Sequence, residues 1–165
     1  DLTELVDNGH LGLTFNFDLL IQKNIIDKFE YGIYNIHASK LPKDKGISPV
    51  LWAFARGDNE IWSTIYKLDE GVDSGPIARQ FQIPLLPNDT SFSLYKRVCI
   101  ESGAILNNIL QEILKGEIKL IKQPQDGVTN YVSWPDKHFQ TMMRKSNRHF
   151  FKLRDFSFRI ESYTG

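Results

Sequence analysis

Two short apolar runs, residues 11–15 and 33–39, stand on either side of a segment whose apolar side chains recur at helical spacing, and this order constrains the fold more than any other feature. Each run is short enough for a buried strand, and the second is rich in β-branched and aromatic residues. Between them Ile21, Ile25, Ile26 and Phe29 share one face of a helix, with Gln22, Lys23, Asp27 and Lys28 opposite and Gly32 at its end. The alternation continues. Ser48 can cap a second helix, Pro49 suits its first position, Val50, Ala53 and Phe54 form its apolar face, and Gly57-Asp58 closes it. Residues 61–68 read as a third strand, 69–75 as a glycine-bounded loop and 77–83 as a fourth strand. Asn88-Asp89-Thr90 then opens the longest helix, in which Leu94, Val98, Ile105, Ile109 and Ile113 recur near the helical period until Gly116. Strands alternating with helices give an α/β fold with a mostly parallel sheet flanked by helices, the strand after Gly75 being the candidate for an antiparallel exception. Beyond Gln123-Pro124 the pattern weakens into a loop-rich extension, so the expected units are 1–122 and 123–165.

Composition narrows the function classes. With 165 residues the chain is long enough for one domain with a sizeable core. Its 20 Lys and Arg balance 20 Asp and Glu, which argues against a general polyanion or nucleic-acid binder. One cysteine, Cys99, excludes a disulfide framework and a cysteine-rich zinc site, and it fits a small core position in the long helix. No run approaches the ~20 consecutive apolar residues of a membrane span, and the first residues resemble no secretion signal, so the expected location is cytoplasmic. The stretch 137–159 is locally basic, with Lys137, Arg144, Lys145, Arg148, Lys152, Arg154 and Arg159 against Asp155. A solvated surface extension is the first reading of it, and a binding arm for an anionic substrate the second.

The densest chemistry lies in the stretch from Asn35 to Gly46. On a strand, side chains alternate between faces, so Asn35, His37 and Ser39 point one way while Ile36 and Ala38 point the other. Polar groups left unpaired at the end of a buried strand cost about 1 to 3 kcal/mol each, so such a face calls for partners or a ligand. A second cluster, Asp69-Glu70-Gly71-Val72-Asp73-Ser74-Gly75, again follows a strand, and its two glycines let a ligand lie against bare backbone beside Asp73. Read as a metal site, this loop lacks partners, because no histidine or cysteine stands at ligand spacing and no calcium-loop pattern is present.

Together the two clusters resemble the folate-dependent formyltransferases, the family that formylates glycinamide ribonucleotide, methionyl-tRNA and sugar nucleotides. The residues that carry the resemblance are Asn35, His37, Ser39, Leu41, Pro42 and Gly46, followed by Asp73 within Asp-Glu-Gly-Val-Asp-Ser-Gly. It covers residues 11–120, corresponding to the second half of that family's catalytic domain, and implies a Rossmann-like sheet, N10-formyltetrahydrofolate as formyl donor and a primary amine as acceptor. Position by position it places Asn35, His37 and Asp73 where the family has its catalytic Asn, His and Asp. It also implies that Phe15, Asn16, Phe17, Asp18 and Leu19, with Leu68, Asp69, Glu70, Gly71 and Val72, hold the pteridine, mostly through backbone.

The chemistry suits these residue types. An amine attacking a formyl carbon builds negative charge on oxygen, which Asn35 can meet with an amide hydrogen, while His37 does the same or moves a proton. The amine must also lose a proton, and Asp73 can take it directly or through a water. Lys40 and Asp44 depart from the family pattern without touching these three residues. The larger departure is that Asn35 lies too near the start of the chain for the family's first half to precede it. The expectation is therefore an N-terminally truncated domain, read as a fragment, as a domain completed by another chain or a second copy, or as a degenerate relative, whose opening strand has an unpaired edge. The stretch 48–54 sits where the sugar-nucleotide enzymes often carry an aromatic-rich helix, and residues 123–134 look more like those enzymes than like the purine-pathway one, so a sugar nucleotide is the expected acceptor, ahead of methionyl-tRNA or glycinamide ribonucleotide. A non-catalytic folate-binding or interaction module is the alternative from a different class.

Overall fold

The structure is a computed structural model that describes residues 8–17 and 19–124, the backbone at 131–132, and residues 137 and 141. In chain order it contains β1 (Gly12–Phe15), α1 (Lys23–Ile26), β2 (Ile33–His37), β3 (Lys45–Gly46), α2 (Pro49–Arg56), β4 (Glu60–Lys67), β5 (Ile77–Pro84), α3 (Ser91–Leu114) and β6 (Tyr131–Val132). The main sheet has the order β1-β2-β4-β5, and β3 pairs with β6 in a small parallel ladder.

The α/β arrangement forms with helices on both faces of the sheet, but the sheet is mixed rather than mostly parallel. Only β1 and β2 run parallel within it, Gly12 opposite Ile33 and Phe15 opposite Ile36. β2 and β4 are antiparallel, as are β4 and β5. The turn between β4 and β5 is too short to carry a crossover helix, which forces that pair antiparallel. The connection from β2 to β4 does contain a helix, yet α2 packs against α3 and β4 rather than spanning the sheet, so the chain re-enters β4 from the end at which it left β2.

Periodicity overestimated the first helix. α1 is a single turn, because the chain leaves it at Asp27 to set Phe29 in a bridge with Gly9, whose bare α-carbon lies against the Phe29 ring. Ser48 precedes α2 as expected but makes no capping bond: it is in the left-handed region (φ 59°), and Pro49 alone supplies the start signal. α3 begins as its sequence dictates. The Thr90 side chain accepts from Ser93 N–H (3.0 Å), and the Ser93 hydroxyl accepts from Thr90 N–H (2.9 Å), a reciprocal capping box.

One face of the sheet carries the core. Leu94 and Val98 of α3 meet Val50, Ala53 and Phe54 of α2 over Ile61 and Ile83, while Ile109 and Ile113 meet Tyr34, Ile36, Ile65 and Ala78. Each such fully buried aliphatic chain contributes about 1.5–3 kcal/mol. Between the two clusters the hydroxyls of Ser63 on β4 and Ser102 on α3 bond to each other at 2.8 Å, both essentially without solvent contact. On the opposite face Ile33 packs with Ile21 and Ile25 beside α1. No helix among the described residues is long and apolar enough to cross a membrane.

Candidate active site

The alternation of β2 divides its residues as the sequence requires. Tyr34 and Ile36 enter the core beneath α3, and Asn35 and His37 project from the other face, next to the carboxyl end of the parallel pair. In open α/β sheets this end is where ligands bind. Ser39 does not join them. It lies past the strand and donates its hydroxyl to the Lys43 carbonyl at 2.7 Å, closing the turn that follows.

Asp73 reaches the same place from the loop between β4 and β5, which folds back over the sheet face. At Gly75 the turn is so tight that a Cβ would run into the Lys67 carbonyl. Inside the turn the Asp69 side chain accepts from Gly71 N–H (3.0 Å) and from the Ser74 hydroxyl. Asp73 itself sits in the left-handed region (φ 49°), and its surroundings fix it there. Gly46 N–H donates to its Oδ2 (2.7 Å), the Tyr66 hydroxyl donates to its Oδ1 (2.7 Å), and Gln123 Nε2 donates to its carbonyl (2.9 Å) and to that of Gly75 (2.8 Å).

The three polar residues thus share one buried site. Asn35 Nδ2 donates to the Tyr66 oxygen (3.0 Å), and Asn35 Oδ1 accepts from Thr14 Oγ1 (2.9 Å). His37 Nε2 lies 2.8 Å from the Asp44 carbonyl. A carbonyl can only accept, so Nε2 carries the hydrogen, and Nδ1 faces Asp73 Oδ2 at 3.6 Å. A proton reaching Nδ1 would complete an ion pair with a carboxylate whose side chain is only 11% exposed. Burial first, and then the charge and hydrogen bond of Asp73, push the Tyr66 hydroxyl far above the ordinary phenol range, which keeps it a neutral donor.

The ten residues expected around the pteridine fall in two groups at opposite ends of β2. Phe15, Asn16 and Phe17 continue from β1 beside Ile36; Asn16 is left-handed (φ 52°), and the Phe15 ring stacks on Tyr95 of α3 with centroids 6.1 Å apart. Leu19 is exposed, and Asp18 lies outside the described residues. Leu68 donates its N–H to the Ile33 carbonyl, and with Asp69, Glu70 and Gly71 it lines a shallow cleft of about 470 Å³ closed by Lys23, Ile26 and Asp27 of the α1 region. This cleft shares its loop with Asp73 but includes neither Asn35 nor His37. Val72, 47% exposed, precedes Asp73 directly.

Four contributors escape sequence reasoning: Thr14, Tyr66, Gln123 and the Arg56–Asp44 pair that holds the carbonyl facing His37. Tyr66 left a faint signal, since it falls two residues after Thr64 on the non-core face of β4, just ahead of the acidic loop. Gln123 and the backbone of β6 carry the chain past the expected boundary at residue 122 into contact with this region. The α2 aromatics Trp52 and Phe54 are buried, so the helix shows no exposed aromatic platform. His10, exposed, pairs with Glu30, and Cys99 is half-buried on α3. The basic residues of 137–159 other than Lys137 lie outside the described residues, as do His138 and His149.

Residues 10–110 match the sequence profile of the formyl transferase family. The methionyl-tRNA formyltransferase of Kosmotoga olearia is 38% identical over 117 residues, which make up 71% of this chain and 38% of that protein. The corresponding enzyme of Myxococcus xanthus is 34% identical over 109 residues, 66% of this chain and 35% of that protein. The chain therefore spans well under half the length of the curated relatives it matches. Among solved structures, the formyltransferase PseJ from Anoxybacillus kamchatkensis, in complex with UDP-4,6-dideoxy-4-formamido-L-AltNAc and tetrahydrofolate, aligns with a TM-score of 0.71 at 29% identity, covering 81% of this chain and 69% of that one.

Proposed function

Since the chain belongs to the formyl transferase family, we propose that it carries the catalytic centre for moving a formyl group from N10-formyltetrahydrofolate to a primary amine. The observation that carries this reading is the buried convergence of Asn35, His37 and Asp73 at the carboxyl end of β2. In the reaction the amine nitrogen bonds to the formyl carbon, the bond from that carbon to folate N10 breaks, and the proton lost by the amine is returned to N10. Asn35 has one amide hydrogen committed to Tyr66 and none of the described residues takes the second, which is available to the oxygen that gains negative charge. Asp73 accepts the amine proton and can share it with His37 Nδ1, 3.6 Å away. Because Nε2 is committed to Asp44, His37 serves the proton side of the reaction in this arrangement.

The residues present suit the donor. Residues 15–17 and 69–72 are exposed on either side of the three residues. A sugar nucleotide is the acceptor we favour, supported by the likeness to PseJ over most of both chains. Methionyl-tRNA is the second reading, favoured by the two curated relatives. The test is a formyl-transfer assay on the full-length protein that carries this sequence, beside His37→Ala. The variant is expected to fold, to bind a stable folate analogue and to lose turnover by about 10²-fold or more. Retained turnover would overturn the assignment, and comparing amino sugar nucleotides with methionyl-tRNA ranks the acceptors.

A further inference from the structure

Thr14, Asn35, Tyr66 and Asp73 form a single file of hydrogen bonds running across β1, β2, β4 and the loop, at 2.9, 3.0 and 2.7 Å. Its polarity is set from one end. An ionised carboxylate can only accept, so the one proton of Tyr66 is committed to Asp73. The Tyr66 oxygen then has only lone pairs to offer, and the group of Asn35 that faces it must be the NH₂. The amide oxygen is thereby turned to the Thr14 hydroxyl. Rotating the amide by half a turn would set its oxygen against an oxygen with no proton left to give, at a buried position where lost hydrogen bonds are costly.

On the formyl-transfer reading, we propose that Tyr66 is the positioning residue of this site: through it, the carboxylate of Asp73 dictates that Asn35 presents nitrogen rather than oxygen to the reacting group. The oxyanion donor and the proton acceptor are then one coupled unit, aligned before any substrate arrives. Tyr66 itself does not touch the substrate. Its ring packs with Leu41 and Ile77, so only the hydroxyl serves this role.

Tyr66→Phe keeps that packing and removes the hydroxyl. In the full-length protein, kcat is expected to fall about 10- to 100-fold, with KM for the folate donor nearly unchanged. In an Asn35→Ala background the same substitution should add no more than about twofold, the scatter of independent sites. A purely structural tyrosine would give equal losses in both backgrounds. A second readout needs no turnover: in the full-length protein labelled with ¹⁵N on asparagine, the hydrogen-bonded Asn35 side-chain proton should move toward the free-amide position in Tyr66→Phe. Unchanged kcat, equal losses in both backgrounds, or an unmoved Asn35 resonance overturns the proposal while leaving formyl transfer standing. Absence of formyl transfer by the unsubstituted full-length protein overturns the functional reading instead, and the Asn35 resonance still decides whether Tyr66 sets the amide.

Discussion

His37 donates its Nε2 hydrogen to the carbonyl of Asp44 at 2.8 Å, so the ring is aimed at Asp73 by a residue whose own side chain faces elsewhere. Asp44 is left-handed (φ 54°), and two bonds from Arg56, at 3.1 and 2.6 Å, hold its carboxylate. Arg56 also pairs with Asp58.

Arg56→Gln is therefore expected to act at a distance. It leaves the Asp44 carboxylate, 6% exposed, without its cation, and should cost about 1–3 kcal/mol of stability. It should also lower turnover by freeing the carbonyl that aims His37. Urea denaturation beside the transfer assay checks both, and a loss of stability with full activity would show that the Asp44 turn does not aim the ring.

Gly75→Ala tests the loop. The added Cβ meets the Lys67 carbonyl, and neither backbone can yield without moving Asp73. A stability loss of about 1–3 kcal/mol is expected together with loss of folate-analogue binding, read by calorimetric titration. Gly57, where a Cβ meets nothing, provides a control whose penalty comes from its positive φ alone.

Asn35→Asp should be at least as damaging as Asn35→Ala, for which loss of an oxyanion donor predicts about 10²- to 10³-fold in kcat. The new carboxylate would face the Tyr66 oxygen, whose proton is committed to Asp73, and would place a second negative charge in the same buried file. Steady-state kinetics on the two variants gives the order; an aspartate milder than alanine would contradict it.

Asp89 supplies a pH signature. Its burial pushes the carboxyl pKa up, but hydrogen bonds from Arg97, Leu86 N–H and Ser93 outweigh that and hold it below the ordinary range. A carboxyl with a lowered folded pKa stabilises the fold above its unfolded value of about 3.9, and the contribution disappears as pH falls through the folded value. Asp89→Asn is thus expected to be less stable than the parent at pH 7, with the gap closing below about pH 3.9. Denaturation midpoints at both ends of that window measure it.

What the sequence made legible was whatever depends on neighbours in the chain. The period-2 face of β2, the Thr90 start of α3 and the strand before the acidic loop all follow from local pattern, and they bring Asn35, His37 and Asp73 within reach of each other. The antiparallel return of β5 after Gly75 was legible, but the direction of β4 was not, because it depends on where α2 finds apolar surface, and α2 found it on α3. Tyr66 was hidden for a related reason. Its partners lie 31 residues before it and 7 after it, and only the pairing of Asn35 with Tyr66 and the fold-back at Gly75 join them. Ser48 misled because a left-handed backbone turns a good capping side chain away from its helix.

The hydroxyl pair of Ser63 and Ser102 works as an index mark between helix and sheet. An apolar interface alone would tolerate α3 sliding along the strands, whereas a slip of one turn would strand two buried hydroxyls at about 1–3 kcal/mol each. Because Tyr95 rides on the same helix and stacks on Phe15, the mark also fixes where the end of β1 comes to rest. A contact deep in the core, far from any substrate, in this way calibrates the outer lip of the site.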